Sequence, residues 1–371
     1  MNKYPLAIRI TFYLLAVILF FYAITSARGF LYPIVLGVLF GYLLYPITSF
    51  LEKHNIPRIP ASLISIILFL LLISGILIII YKQSGSFVND FPRFRAKALQ
   101  NIDNLENVLE KKFDISDIGL VEFIRVRVRY LFETGSNVIN KIFTSTAGTL
   151  FRIGILPVYI FLFLFYRTKL AIFIFQIVPK DQKRTAIKVL KQFSHVVPRY
   201  MGGVTAVVLI LAFLNSIGLL IVGIDYAIIF GIVSALCNFI PYFGTLIGGS
   251  IPFVFALLTG DTPMLAFRVL ILYGIIQFTE NNILTPNIVG NNLRLNPMVI
   301  IIGIIAGGLV WGIPGMFAIV PLMAMFNILS ENVQGLKPYS FLLGTKGARK
   351  HAITIKNIKN FYKQLKYKYK T

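Results

Sequence analysis

The sequence predicts an all-α fold: a polytopic helical membrane protein of about eight transmembrane helices. Gly/Pro-broken helices mark its C-terminal half, and a small helical extramembrane insertion interrupts its N-terminal half. Three observations carry this prediction. Of 371 residues, 57% are hydrophobic and 13% are charged, whereas soluble domains carry about 25% charged residues. Apolar runs of roughly 20 residues, enough to cross a bilayer, recur near 8–26, 30–50, 61–81, 147–167, 203–223, 227–258, 264–285 and 297–329. The bases behind a formal net charge of +22 gather in short flanks of these runs. That is the placement of the positive-inside rule, so the expected partner is the lipid bilayer, not nucleic acid.

Residues 1–82 hold the first three predicted spans. Lys3 and Arg9 precede the apolar core of the first, and the small residues Thr25-Ser26-Ala27 follow that core, which outlines a signal peptide. A second apolar run begins within a few residues, favouring a retained helical hairpin. Residues 83–146 lose the apolar pattern and hold eight of the fourteen acids: Asp90, Asp103, Glu106, Glu110, Asp114, Asp117, Glu122 and Glu133. Phe94, Ala98, Ile102, Leu105 and Leu109 recur at helical spacing, as do Val121, Ile124, Val128 and Leu131. Two amphipathic helices are expected, the second opened by Asp114-Ile-Ser-Asp117, packed as a subdomain without a ligand site of its own.

Residues 147–202 comprise the fourth span and a basic segment, with Pro198 and Gly202-Gly203 marking its join to the fifth span. Residues 203–330 form the C-terminal transmembrane core. Residues 331–371 form a tail with ten bases and no acid after Glu331. There Ile358, Phe361, Leu365 and Tyr369 share one helical face, which suits either an anionic lipid surface or a solvated tail. An even number of spans puts both termini and all four basic clusters, Lys3/Arg9, Lys53/Arg58, the bases between Arg167 and Arg199, and the tail, on the cytoplasmic side.

In the C-terminal core, Asn238-Phe-Ile-Pro-Tyr-Phe-Gly244 interrupts one apolar run and Trp311-Gly-Ile-Pro-Gly315 another. Both runs open alike, 229–234 against 301–306, and each holds a second proline, Pro252 and Pro321. Paired Gly/Pro-interrupted spans point to a transporter's binding site, because freed backbone groups are tolerated only inside protein or along a cavity. The helix breaks are Pro241, Gly244, Pro286, Gly290, Pro297, Gly312, Pro314 and Gly315. Residues 227–258 read equally well as one broken span or as a re-entrant hairpin. The pairs Gly37/Gly41, Gly244/Gly248 and Gly303/Gly307 permit close helix contact.

Glu280 is the one carboxylate inside a long apolar run. An ionised group there costs about 2.5–3.5 kcal/mol on insertion scales, which makes it a functional candidate. A carboxylate in a partly dry site can exchange a proton or ligate a small cation. Gln277, Asn281 and Asn282 add polar groups beside it, and Tyr273 falls on the same helical face. Asn238 and Tyr242 flank the Pro241 break and either line the same cavity or satisfy its loose carbonyls. The span order sets Glu280 late in the seventh span, towards the outside, where it could instead tie its helix to a broken neighbour. Arg268, early in that span, is expected to snorkel to the cytoplasmic side.

Catalytic readings find little support. No Walker A or His-Glu-x-x-His motif is present. His54, His195 and His351 lie outside the spans, and one intramembrane carboxylate does not make an aspartyl dyad. The single cysteine, Cys237, excludes an internal disulfide framework. Neither an enzymatic activity nor a cofactor is expected.

Three stretches together resemble the autoinducer-2 exporter family of bacterial permeases. They are 238–248, then Glu280-Asn-Asn-Ile-Leu-Thr-Pro286 with Gly290 and Pro297, and Gly307-Gly-Leu-Val-Trp-Gly312 leading to Gly315 and Pro321. The order of three spans, an insertion and a longer motif-bearing half is similar too. The resemblance implies a multi-pass protein of the bacterial cell membrane that exports a small polar organic solute, the quorum-sensing signal autoinducer-2 in described members. It implies alternatively a sodium- or lithium/proton antiporter. It also implies a homo-oligomer, since some members form pentamers. A non-transporting membrane scaffold is the reading from a different class.

Overall fold

The computed structural model describes residues 5–113, 118–144, 146–290 and 295–345. Apart from one antiparallel bridge, Leu295 to Gly344, the regular structure among them is helical. Helices α1 (Leu6–Ser26), α2 (Arg28–Lys53) and α3 (Arg58–Phe113) come first, then α4 (Ile118–Thr144), α5 (Thr146–Ile177) and α6 (Lys183–Val222). The C-terminal half holds α7 (Ala227–Cys237), α8 (Phe243–Thr259), α9 (Pro263–Thr279), α10 (Pro297–Trp311), α11 (Ile313–Asn332) and the short α12 (Lys337–Leu343). Beyond α9 the chain continues as a wider π-helical stretch over Glu280–Val289. Among the described residues, seven helical segments are long and apolar enough to cross a membrane, whereas α7, α8 and α10 are shorter.

Two boundaries expected from composition are not breaks in the backbone. Polarity changes near residue 83, but α3 runs through it as one 56-residue helix from membrane span to insertion. Likewise α6 runs unbroken for 40 residues through Pro198, Gly202 and Gly203, so basic segment and fifth span are one rod. Proline inside a helix costs a hydrogen bond and a clash, and buried packing against neighbouring helices keeps this one continuous. In the insertion, Phe94, Ala98, Ile102, Val121 and Val128 are buried as expected, joined by Phe132. Leu105 and Leu131 are exposed instead. The expected cap at 114–117, the side chain of Leu109 and the amphipathic tail at 358–369 lie outside the described residues.

Connectivity gives the bundle two distinguishable ends. Lys53 and Arg58 flank the α2–α3 turn, and Arg167 of α5 joins them there by pairing with Glu52. The N-terminal stretch of α6 lies at the same end, where Gln192 accepts from Asn332 of α11 (2.9 Å). This is the basic end. The opposite end carries the insertion.

The region 227–258 is a re-entrant hairpin and not a broken span. Its helices are antiparallel, with Gly244 against Cys237, Gly248 against Ser234, and the Phe255 and Phe230 rings 4.7 Å apart. Both feet contact the insertion: Tyr226 donates to Asp90, and Asn101 donates to the carbonyls of Leu258 and Gly260. At 1.5 Å per residue, helices of 11 and 17 residues reach about 16 and 25 Å, short of the roughly 30 Å hydrocarbon core. The run 297–329 is also two helices. Gly312 (φ +67) turns the chain, and α10 folds back on α11 with Gly307 against Gly315 and Gly303 against Met323. This second hairpin enters from the basic end, where Asn296 N donates to the Leu343 carbonyl. The two hairpins enter from opposite ends and meet at Phe239 and Phe317, whose rings lie 5.5 Å apart edge to face.

Seven described helices are thus long and apolar enough to cross, close to the expected eight: 227–258 turns back instead of crossing, and 297–329 is α10 folded on α11. One consequence corrects the expected position of Glu280. With the hairpin returning to the insertion end, α9 starts there and runs towards the basic end. Arg268 is accordingly near the insertion end, and the reason is the same hairpin. The central core of α2, α6, α7, α10 and α11 is built on Leu39, Met201, Leu211, Ala235, Ile304 and Val320.

Candidate functional site

Helix α9 packs antiparallel to α8, and the Gly249 position lies against the Tyr273 ring. That register sets Thr245 level with Gln277 and Tyr242 level with Glu280. The polar side chains Tyr273, Gln277 and Glu280 follow i, i+4, i+7 spacing and form one half-buried stripe on α9. Along the neighbouring pair, Gly203 of α6 lies against Val289 and Gly218 against Leu272. Glu280 is therefore level with about Leu211, more than half-way from the insertion end to the basic end.

The contacts of this stripe are specific. Tyr273 donates its hydroxyl to Ser234 Oγ (2.9 Å), and Ser234 donates in turn to the Gly248 carbonyl. A three-helix polar chain thus ties α9 to both helices of the hairpin. Gln277 Nε2 donates to Glu280 Oε2 (3.0 Å), and no lysine or arginine among the described residues pairs with this carboxylate.

Local sequence explains the wide turn that begins at Glu280. Pro286 has no N–H, and its ring opposes the carbonyl four residues back, which strains an α-helix. A π turn relieves that clash, and such turns recur at functional sites. Asn282 and Asn287 donate to the carbonyls of Phe278 (2.8 Å) and Ile283 (2.7 Å). Gly290 ends the stretch with φ +67. The chain re-enters at Pro297, the first residue of α10, where Asn296 caps Met298 N (3.0 Å).

The sequence candidates divide accordingly. Tyr273, Gln277 and Glu280 share the stripe. Asn238 and Tyr242 stand at the hairpin tip level with it, with Pro241 between them, and Tyr242 adopts a left-handed φ of +66. The side-chain oxygen of Asn238 is buried and accepts no hydrogen bond among the described residues. Asn281 and Asn282 are exposed, and Asn282 serves its own helix. Gly312, Pro314 and Gly315 belong to the other hairpin's turn.

Ser234, 1% exposed, escaped sequence reasoning because a lone serine in an apolar run has no distinguishing neighbours. Asn215 and Asn327 escaped it too, although their side-chain oxygens are likewise buried without an acceptor role among the described residues. Polar groups buried in this way are costly. At membrane depth they mark pathways more often than they stabilise.

A helical bundle entered by hairpins from both ends, with a polar stripe at depth, has the architecture of a membrane permease. Residues 12–335 match the family model for AI-2E family transporters, and the chain belongs to that family. It is similar to the transport protein YrrI of Bacillus subtilis (strain 168), with 26% identity over 304 residues covering 80% of this chain and 84% of that protein. A transport protein of Borreliella burgdorferi is 25% identical over 346 residues, 92% of each chain. The AI-2 transport protein TqsA of Escherichia coli (strain K12) is 24% identical over 335 residues, 86% of this chain and 91% of that protein.

Proposed function

We propose that this permease exports a small polar organic solute, with Glu280 as its coupling or gating carboxylate. One observation carries the reading: Glu280 lies level with the tip of the α7–α8 hairpin, within the bundle, and among the described residues its one side-chain hydrogen-bond partner is Gln277. A carboxylate held there can change protonation or ligation as the pathway opens, at small structural cost. The flanking tip residues Asn238 and Tyr242 supply amide and phenol groups suited to hydroxyls and carbonyls of a solute. An autoinducer-2-like signal fits that chemistry, and the similarity to TqsA supports it.

The basic end is proposed to face the cytoplasm of a bacterial cell, by the positive-inside rule. Assembly as a homo-oligomer follows the family resemblance. Cation/proton antiport is the second reading, favoured by the same carboxylate, which forms no ion pair among the described residues. Flux in proteoliposomes, with and without Glu280→Gln, tests the proposal. We expect at least a tenfold loss of solute flux, an effect of about 1.4 kcal/mol. Unchanged flux removes Glu280 from the mechanism, and sodium- or lithium-driven proton movement without solute transport selects the antiporter.

A further inference from the structure

We propose that the extramembrane arm of α3 is a latch that positions the α7–α8 hairpin, and that Asn101 is its chief positioning residue. Each foot of the hairpin is completed by this arm and not by the hairpin itself. At the first foot, Tyr226 precedes α7 in a left-handed conformation (φ +58), and its hydroxyl donates to Asp90. At the second foot, the Asn101 amide donates to the Leu258 carbonyl (2.8 Å) and the Gly260 carbonyl (2.9 Å). The last carbonyls of a helix lack partners within it, so Asn101 caps α8 from 157 residues away in sequence. Lys97, 2.6 Å from Asp261, adds a positive charge at this C-terminus, the sign that complements the helix dipole.

Between the two feet lies an aromatic joint. Phe87 and Phe94 of the arm meet Tyr226, Phe230 and Phe255 of the hairpin region with ring centroids 5.0–6.3 Å apart. Both hairpin helices stop inside the membrane, so the feet fix where the tip sits. The relevance to transport rests on the reading that the tip lines the pathway. The positional claim stands apart from it.

Cys237, the one cysteine of the chain, ends α7 beside the tip and is half-buried. Its rate of alkylation by a membrane-permeant maleimide therefore reports hairpin position in the full-length protein without any substrate. Asn101→Ala is expected to raise that rate about tenfold, the size expected for two neutral hydrogen bonds released together. Asn101→Gln, which keeps the amide donor, should recover much of the wild-type rate.

Arg125→Ala provides the control, because Arg125 binds Asp103, Glu106 and Glu122 within the insertion and away from the hairpin. Equal acceleration in Arg125→Ala, or an Asn101→Ala rate within twofold of wild type in protein of unchanged melting temperature, overturns the latch. Faster labelling in Asn101→Ala with unchanged flux upholds the latch and instead removes the hairpin from the transport pathway.

Discussion

Gly244 shows what a single residue decides here. A methyl group at this position would stand 2.0 Å from the Cys237 carbonyl oxygen, and that obstacle is backbone and cannot rotate away. Gly244→Ala should destabilise the protein by about 1–3 kcal/mol, the cost of overpacking. Gly274→Ala, with nothing within 4 Å, should be neutral or slightly stabilising because alanine favours a helix. Thermal unfolding of the two variants in detergent checks the contrast. Glu280 was legible in the sequence because a carboxylate amid apolar residues is conspicuous. Glu52 was not, since it ends a span among ordinary flanking charges. The structure shows it bonded to Arg167 and 3.7 Å from Arg58, linking α2, α3 and α5. Glu52→Gln leaves Arg167 without its partner at a site only 18% exposed. We expect a lower melting temperature for it than for Arg58→Gln, whose parent side chain is more exposed.

At the scale of elements, periodicity found the helices, and proline and glycine found the turns. Neither reported how the pieces fold back. Pro241 and Gly244 mark a break in either a kinked span or a hairpin, and the choice depends on contacts with α3 that lie more than a hundred residues away in sequence. The same limit hid the continuity of α3 and α6, where a change of polarity resembles an end. The π turn follows from Pro286, and this gives a further test. Pro286→Ala restores the missing N–H, lets the helix tighten and rotates Val289 off its seat against Gly203. Maximal transport rate should fall severalfold while Glu280 remains in place, a result measurable by the same flux assay. Tyr226 of the latch does not titrate near neutrality. Burial, followed by the hydrogen bond to Asp90, pushes the Tyr226 phenol up to about 12, so its donor proton stays in place throughout the physiological range. Any pH dependence of transport near neutrality must then arise elsewhere, and it should flatten in Glu280→Gln.

For the whole molecule, the decisive question is which ends face the same side. Eight spans with both 227–258 and 297–329 crossing once would put the α8–α9 turn at the basic end. The observed hairpin puts it with the insertion, and that reversal moves Glu280 from the insertion side of the bundle's middle to the basic side. Asp225, Asp261 and His54 are all exposed and stand at informative turns. In a Cys237→Ser background, single cysteines at these three positions can be labelled in sealed cells with a membrane-impermeant maleimide. Asp225→Cys and Asp261→Cys should label together from one side, and His54→Cys only after permeabilisation if the basic end is cytoplasmic. Labelling of Asp261→Cys with His54→Cys instead would restore the single crossing and reverse the direction of α9. It would also dissolve the latch, because Asn101 and Gly260 could no longer share a side. The position of one turn thus fixes the direction of α9, hence which end the carboxylate approaches, and the reach of the insertion together.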